Sequence, residues 1–258
     1  MSVRTEQIGP VLVIRMERPH KRNAVDPEMT AGLDSACNQF DDDPALRVAV
    51  LTGTGPAFSA GVDLRRGPGD STDRGGPLGV IGRVRDKPLI AAVEGFALGG
   101  GMELVLACDL VVAGRSVRFG LPELARGLVP AFGGLFRTRR ALPLNIAKEI
   151  LLTGDPLTAE RGYHLGFVNV LTEDGKAEQS AVGLAQRICR NAPVSVRESL
   201  RAVERVNSAA DAAAWEITEA AIAATSASPD RAEGVSAFLE RRAPRWTEAR
   251  ETTPRRDE

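Results

Sequence analysis

Residues 46–53, LRVAVLTG, run apolar with no alternation between two faces. A strand of this kind is buried on both sides, as in a parallel sheet covered by helices. The neighbouring segments meet that demand. VLVIRM at 11–16, PLIAAVEG at 88–95 and DLVVAG at 109–114 read as further strands, with RFGLPE at 118–123 after the last of them. PEMTAGLDSACNQF at 27–40 reads as a helix opening at Pro27 behind Asp26 as N-cap, and another helix is expected from about 101 to 107. Alternation of strand and helix implies βαβ units and a mostly parallel sheet, an α/β fold.

From about residue 141 the pattern turns to nearly continuous amphipathic helix, with segments at 176–191, 193–207, 211–225 and 230–242. The expected organisation is an α/β core over 1–195 and a helical region over 196–258 whose apolar faces need a partner surface. The tail TEARETTPRRDE, 247–258, is too polar to pack and is expected to fray. RRGPGDSTDRGGPLG at 65–79 is the most loop-like internal segment and is expected to be mobile.

Charge narrows the possible partners. The 258 residues carry a formal net charge of −1, so no global field recruits nucleic acid or an anionic membrane. Arg241, Arg242 and Arg245 are interleaved with acids and read as solvated or subunit-facing helix surface. No segment approaches the roughly 20 apolar residues of a membrane span. The opening MSVRTEQIGPVLVIRME lacks an export signal's apolar core, so a reduced cytoplasm is the expected location. Cys37, Cys108 and Cys189 fit neither a disulfide framework nor a zinc spacing. His20 and His164 are the only histidines; they form no metal-ligand spacing, and each reads as a surface or packed residue instead of a hydrolase's histidine partner.

Two segments place glycine where backbone amides would be exposed: LTGTGPAFSAGVDL at 51–64 and EGFALGGGMEL at 94–104. In the second a strand ends, three glycines follow and a helix begins. Amides at a helix start lack intrahelical acceptors, and glycine lets a ligand approach them closely. One N–H from each turn would form an oxyanion hole. Each turn alone reads equally as a tight turn with no ligand, and neither matches a nucleotide-phosphate motif. Two carboxylates add to the picture. Glu103 lies in the first helical turn after the glycines, where the helix start favours its ionised form. Glu123 has Phe119, Leu121 and Leu124 as neighbours, which favour its protonated form. Carboxylates in different states make an acid/base pair. Taken singly, each reads as a helix-start charge or a solvated turn residue.

These residues resemble the crotonase (enoyl-CoA hydratase/isomerase) superfamily over about 11–246. The resemblance runs through Arg18-Pro19 with Asn23-Ala24, FSAGVDL at 58–64, KPLIAAVEG at 87–95 and ALGGGMELVLACDLVVA. It continues through FGLPE, GLVPAFGG at 127–134, LLTGDPLTAERGYHLGFVNVL and EGVSAFLERRAPRW. It implies a spiral core of repeated ββα units with a helical C-terminal region, a trimer or dimer of trimers, and an acyl-CoA thioester as substrate. Coenzyme A would be part of that substrate, with no separate cofactor and no metal. The oxyanion-hole amides fall on Ala60 and Gly100. Glu103 becomes the base and Glu123 the proton donor of an enoyl-CoA hydratase, adding water to give a 3-hydroxyacyl-CoA. Gly99 joins Gly100 at the substrate, and Ala131 stands where the family often has glycine beside the water. Val62, with Asp63 and Leu64 after it, falls where the family backbone receives the adenine. His20, Lys21 and Arg22 fall along the pantetheine and phosphates. Phe238 and Arg241 match positions that reach a neighbouring subunit's ligand. Glu94 replaces a common asparagine and has no functional reading from sequence. Isomerase and hydrolase activities of the same superfamily, and a non-catalytic acyl-CoA-binding protein, stay open as alternatives.

Overall fold

The computed structural model describes residues 2–246. The expected fraying of 247–258 therefore lies outside the described residues. The chain opens with a hairpin, β1 (Val3–Ile8) and β2 (Val11–Met16), followed by α1 (Pro27–Asp42) and β3 (Val48–Gly53). Asp26 caps α1 by accepting a hydrogen bond from the Met29 amide, as the Asp-Pro pair implies. After a long connection come β4 (Leu89–Val93), β5 (Phe96–Leu98), α2 (Gly100–Leu106), β6 (Leu110–Gly114) and β7 (Arg118–Gly120). A 3₁₀ turn at Pro122–Arg126 leads to α3 (Gly134–Ala141) and α4 (Leu144–Thr153). Then follow β8 (Leu157–Thr158), α5 (Ala159–His164), β9 (Val170–Thr172), α6 (Ala177–Cys189), α7 (Pro193–Asn207), α8 (Asp211–Ala227) and α9 (Pro229–Glu240).

Two sheets result. The larger has the order β1-β2-β3-β4-β6-β9, antiparallel only between β1 and β2. The smaller, β5-β7-β8, pairs β5 with β7 in parallel and β7 with β8 antiparallel. The run from 141 is thus not all helix. Short strands β8 and β9 complete the two sheets, with hydrogen-bond partners distant in sequence. Burial on both faces of the large sheet follows the pleat. Val11, Val13, Val48, Val50, Ile90 and Ala92 pack against an alanine stripe on α6, Ala177, Ala181 and Ala185. Leu12, Ile14, Ala49, Leu51, Ala91 and Val93 face the main core with α1 and α2. Helix α6 is anchored by Glu94, whose Oε1 accepts from the Ala177 amide at 2.8 Å. That is a structural role for the residue left without one by the sequence.

The loop-like stretch and the residues directly after it are pinned. Arg83, its side chain 1% exposed, pairs with Asp34 and Asp41 of α1, each at 2.6 Å. Thr72 donates to Asp34, and Arg137 donates to the Ile81 carbonyl. Leu78 and Ile81 are buried. Leu78 does so at φ 54°, a left-handed conformation uncommon for leucine. Burial and ion pairing thus hold a segment whose glycine and proline content points to mobility.

Candidate active site

The two glycine turns meet backbone to backbone. Gly61 has φ 93°, and a Cβ there would lie 2.7 Å from the Leu98 carbonyl oxygen and 3.1 Å from the Gly100 amide nitrogen. Only glycine permits both the angle and the approach. The first turn is sewn in by Leu98 N–H to the Ser59 carbonyl, Val25 N–H to the Gly61 carbonyl and Asp63 N–H to the Val25 carbonyl. This bonding decides which amide is available. Ala60, the donor expected from the resemblance, gives its N–H to the Arg22 carbonyl at 2.9 Å and is committed there. Val62 bridges to Val25 through its neighbours' groups, leaving its own N–H without a described acceptor. A Cβ on Gly100 would lie 3.5 Å from the Val62 nitrogen. Gly100 is the first residue of α2, so its amide has no intrahelical acceptor either. The facing donors are Val62 and Gly100; the assignment to Ala60 is corrected by its bond to Arg22.

Glu103, 1% exposed, projects from the first turn of α2. Its Oε1 accepts from the Phe132 and Gly134 amides at 2.7 and 2.9 Å. Those donors sit where the Ala131–Gly134 turn enters α3. A Cβ on Gly134 would lie 2.6 Å from Pro130 Cβ and 2.9 Å from Glu103 Oε1, so this glycine keeps room for the carboxylate. Glu123 comes from the 3₁₀ turn. Its Oε1 lies 3.0 Å from where a Gly99 Cβ would stand, and its buried Oε2 has no partner among the described residues. Gly99 directly precedes the Gly100 donor, so the second carboxylate borders the same turn.

Burial and the facing Glu123 charge push Glu103 up from 4.5 to about 8, against the lowering effect of its two amide donors and Arg137. Burial pushes Glu123 up to about 7. Burial thus works against the ionised Glu103 expected from its helix start, and the two amide donors work for it. Burial raises both carboxyls, and the repulsion between them opposes their ionising together. The two amide donors favour charge at Glu103 Oε1, while Glu123 Oε2 has no hydrogen-bond partner among the described residues.

The other expected residues divide into two groups. His20, Lys21 and Arg22 are exposed on the short 3₁₀ turn Pro19–Lys21. Asn23, not assigned a role from sequence, ties that turn to the first glycine segment. Its Oδ1 accepts from Arg18 N–H, and its Nδ2 donates to the Thr54 and Ala57 carbonyls. Arg18 reaches Asp63 at 3.4 Å, and Leu64 and Ala131 are half-buried. Phe238 lies over Arg126 of the same chain, 4.3 Å from ring centroid to guanidinium carbon, and Arg241 is exposed beyond α9. Leu78, also unassigned from sequence, brings Cδ1 to 3.4 Å from a Gly100 Cβ position. Its contact depends on the fold of a long loop, and no local motif announces it.

Two amides with no described acceptor on adjoining turns, beside the buried Glu103 and the half-buried Glu123, form an arrangement able to stabilise an enolate made from a carbonyl compound. The chain belongs to the enoyl-CoA hydratase/isomerase family, whose sequence profile matches residues 6–250, and so to the crotonase superfamily. It is 37% identical over 251 residues to an enoyl-CoA hydratase of Mycobacterium tuberculosis, covering 93% of this chain and 94% of that one. It is 37% identical over 257 residues to a carnitinyl-CoA dehydratase of Salmonella typhi, covering 95% and 98%. The crystal structure of carnitinyl-CoA hydratase from Mycobacterium avium superposes with a TM-score of 0.89 at 39% identity, covering 95% of this chain and 98% of that one.

Proposed function

We propose that this protein is an enoyl-CoA hydratase, adding water across the 2,3 double bond of a 2-enoyl-CoA thioester. The observation that carries the proposal is the pair of buried carboxylates bordering the facing Val62 and Gly100 amides. Attack of water at C3 pushes the double-bond electrons toward the thioester oxygen. Two preorganised donors there stabilise the enolate-like transition state more than the ground state. Loss of one such donor costs about 3–4 kcal/mol in comparable sites. Glu103, held by the Phe132 and Gly134 amides, takes a proton from the water as its oxygen bonds to C3. Glu123 gives its proton to C2 as the enolate electrons return. The proton then passes between the carboxyls to reset the pair.

Coenzyme A serves as the handle whose remote binding energy positions the acyl group. His20, Lys21 and Arg22, exposed on one turn tied to the glycine segment, are suited to its anionic phosphates. The reverse reaction, dehydration of a 3-hydroxyacyl-CoA, uses the same groups. Similarity to proteins named carnitinyl-CoA dehydratase makes it the second direction to assay. Exposed Val194, Val203, Val206 and Ile217 on α7 and α8 support a homo-oligomer.

The test is loss of the conjugated-thioester absorbance of crotonyl-CoA, with product mass determined. Glu103→Gln and Glu123→Gln are each expected to slow hydration by about 10²–10⁴. A wild-type rate in either variant removes that carboxylate from the mechanism. Tight binding of crotonyl-CoA with no turnover by the wild-type protein would make it an acyl-CoA-binding protein instead.

A further inference from the structure

The 3₁₀ turn that carries Glu123 also carries an arginine with no acidic partner at ion-pair distance among the described residues. In a 3₁₀ helix side chains three apart eclipse, which sets Arg126 over the same side of the turn as Glu123. The Arg126 guanidinium is held at two points. Its Nη1 donates to the Pro122 carbonyl at 2.9 Å, and its Cζ stacks 4.3 Å from the centroid of Phe238 on α9. Its Nε is buried with no partner among the described residues, as is Glu123 Oε2. Helix α9 can come this close because of two glycines. A Cβ on Gly234 would lie 2.3 Å from the Arg126 carbonyl carbon, and one on Gly127 would lie 2.4 Å from the Asp230 carbonyl oxygen.

We infer that Arg126 is a positioning residue for Glu123, and that α9 holds it there through the ring of Phe238. This rests on the hydratase reading of Glu123 and adds to it a role for the C-terminal helix within the same chain. The other charges around the turn are accounted for. Glu103 of α2 lies near Glu123 and is itself raised by the Glu123 charge. On α4, Lys148 and Glu149 are exposed, and Glu149 is held by Arg161. On α9, Asp230 meets the turn with its backbone, Arg231 bonds Ser226, and Glu233 is paired with Arg242. Arg126 and Glu123 are left acting on each other: the Arg126 charge favours ionised Glu123 against the effect of burial. A cation fixed there by an aromatic ring sets how readily the acid gives up its proton to C2.

The test uses the full chain and two readouts across pH. One is kcat and KM for hydration of crotonyl-CoA. The other is ionisation of the Glu123 carboxyl by infrared difference against Glu123→Gln, which needs no turnover and therefore separates failure of this inference from failure of the hydratase reading. Removing the cation destabilises the carboxylate, so Arg126→Met is expected to move the Glu123 titration to higher pH by about one unit. kcat should fall while KM stays close to wild type. Arg126→Lys should restore the titration. Phe238→Ala should move it in the same direction by less, because the freed guanidinium drifts into solvent, and Phe238→Tyr should return it. Glu123 titrating at the wild-type position in both Arg126→Met and Phe238→Ala would overturn the inference, whatever happens to the melting temperature. If Arg126→Met does not fold, the Phe238 pair decides by the same criterion.

Discussion

The two carboxylates sit close together but are held by opposite means. Glu103 is fixed by backbone: two amides at the start of α3 converge on one oxygen, and Gly134 leaves just enough room for it. Glu123 has no such cradle. One oxygen touches the Gly99 backbone, the other is buried without a partner, and the nearby cation is a side chain held by another helix. Backbone donors hold charge at a fixed point, which suits a base that must aim at one water. A buried, unbonded oxygen keeps its proton until something better takes it, which suits an acid. The difference in support, and not the shared identity of two glutamates, is what separates the two proposed roles.

That contrast can be broken at the backbone side first. Gly134→Ala inserts a methyl against Pro130 and Glu103 Oε1, so the carboxylate must shift while Glu123 stays in place. We expect kcat to fall about 100-fold, the scale of a displacement near 1 Å at a catalytic group. Steady-state kinetics checks it, and an unchanged kcat would show that the amide cradle is dispensable.

A smaller effect concerns stability. Both carboxyls are raised in the fold, Glu103 from 4.5 to about 8 and Glu123 to about 7. Above about pH 4.5 the unfolded chain has released protons that the folded chain still binds, so stability falls as pH rises through that window. Below it both states are protonated and the effect vanishes. Glu103→Gln removes the buried ionisation while keeping an oxygen for the two amides. Relative to wild type it should gain on the order of 2 kcal/mol between pH 5 and pH 8. Denaturant unfolding at the two pH values measures this. A constant difference would mean that Glu103 ionises in the fold as easily as in water.

Much of the framework was legible in the sequence because local chemistry wrote it. Continuous apolar runs gave the parallel strands, Asp26-Pro27 the start of α1, and amphipathic spacing the C-terminal helices. The short strands β8 and β9 were not legible, since two or three residues carry no period and their pairing is long-range. The same limit explains the donor in the first glycine turn. Ala60 and Val62 stand two residues apart in one motif, and what separates them is that the Arg22 carbonyl takes the first amide and no described residue takes the second. At Glu103 a local rule meets an opposing one: its helix start favours charge, while burial set by the whole fold disfavours it.

The central claim is that the Val62 and Gly100 amides together receive the thioester oxygen. The carbonyl stretch of a bound, unreactive acyl-CoA thioester labelled with ¹³C at C1 reports this directly by infrared difference spectroscopy. Two donors should lower its frequency below that of the same thioester in water, and Val62→Pro, which removes one N–H, should return part of that shift and slow hydration by about 10²–10³. A bound carbonyl at its aqueous frequency, or a shift that Val62→Pro leaves intact, would contradict the claim.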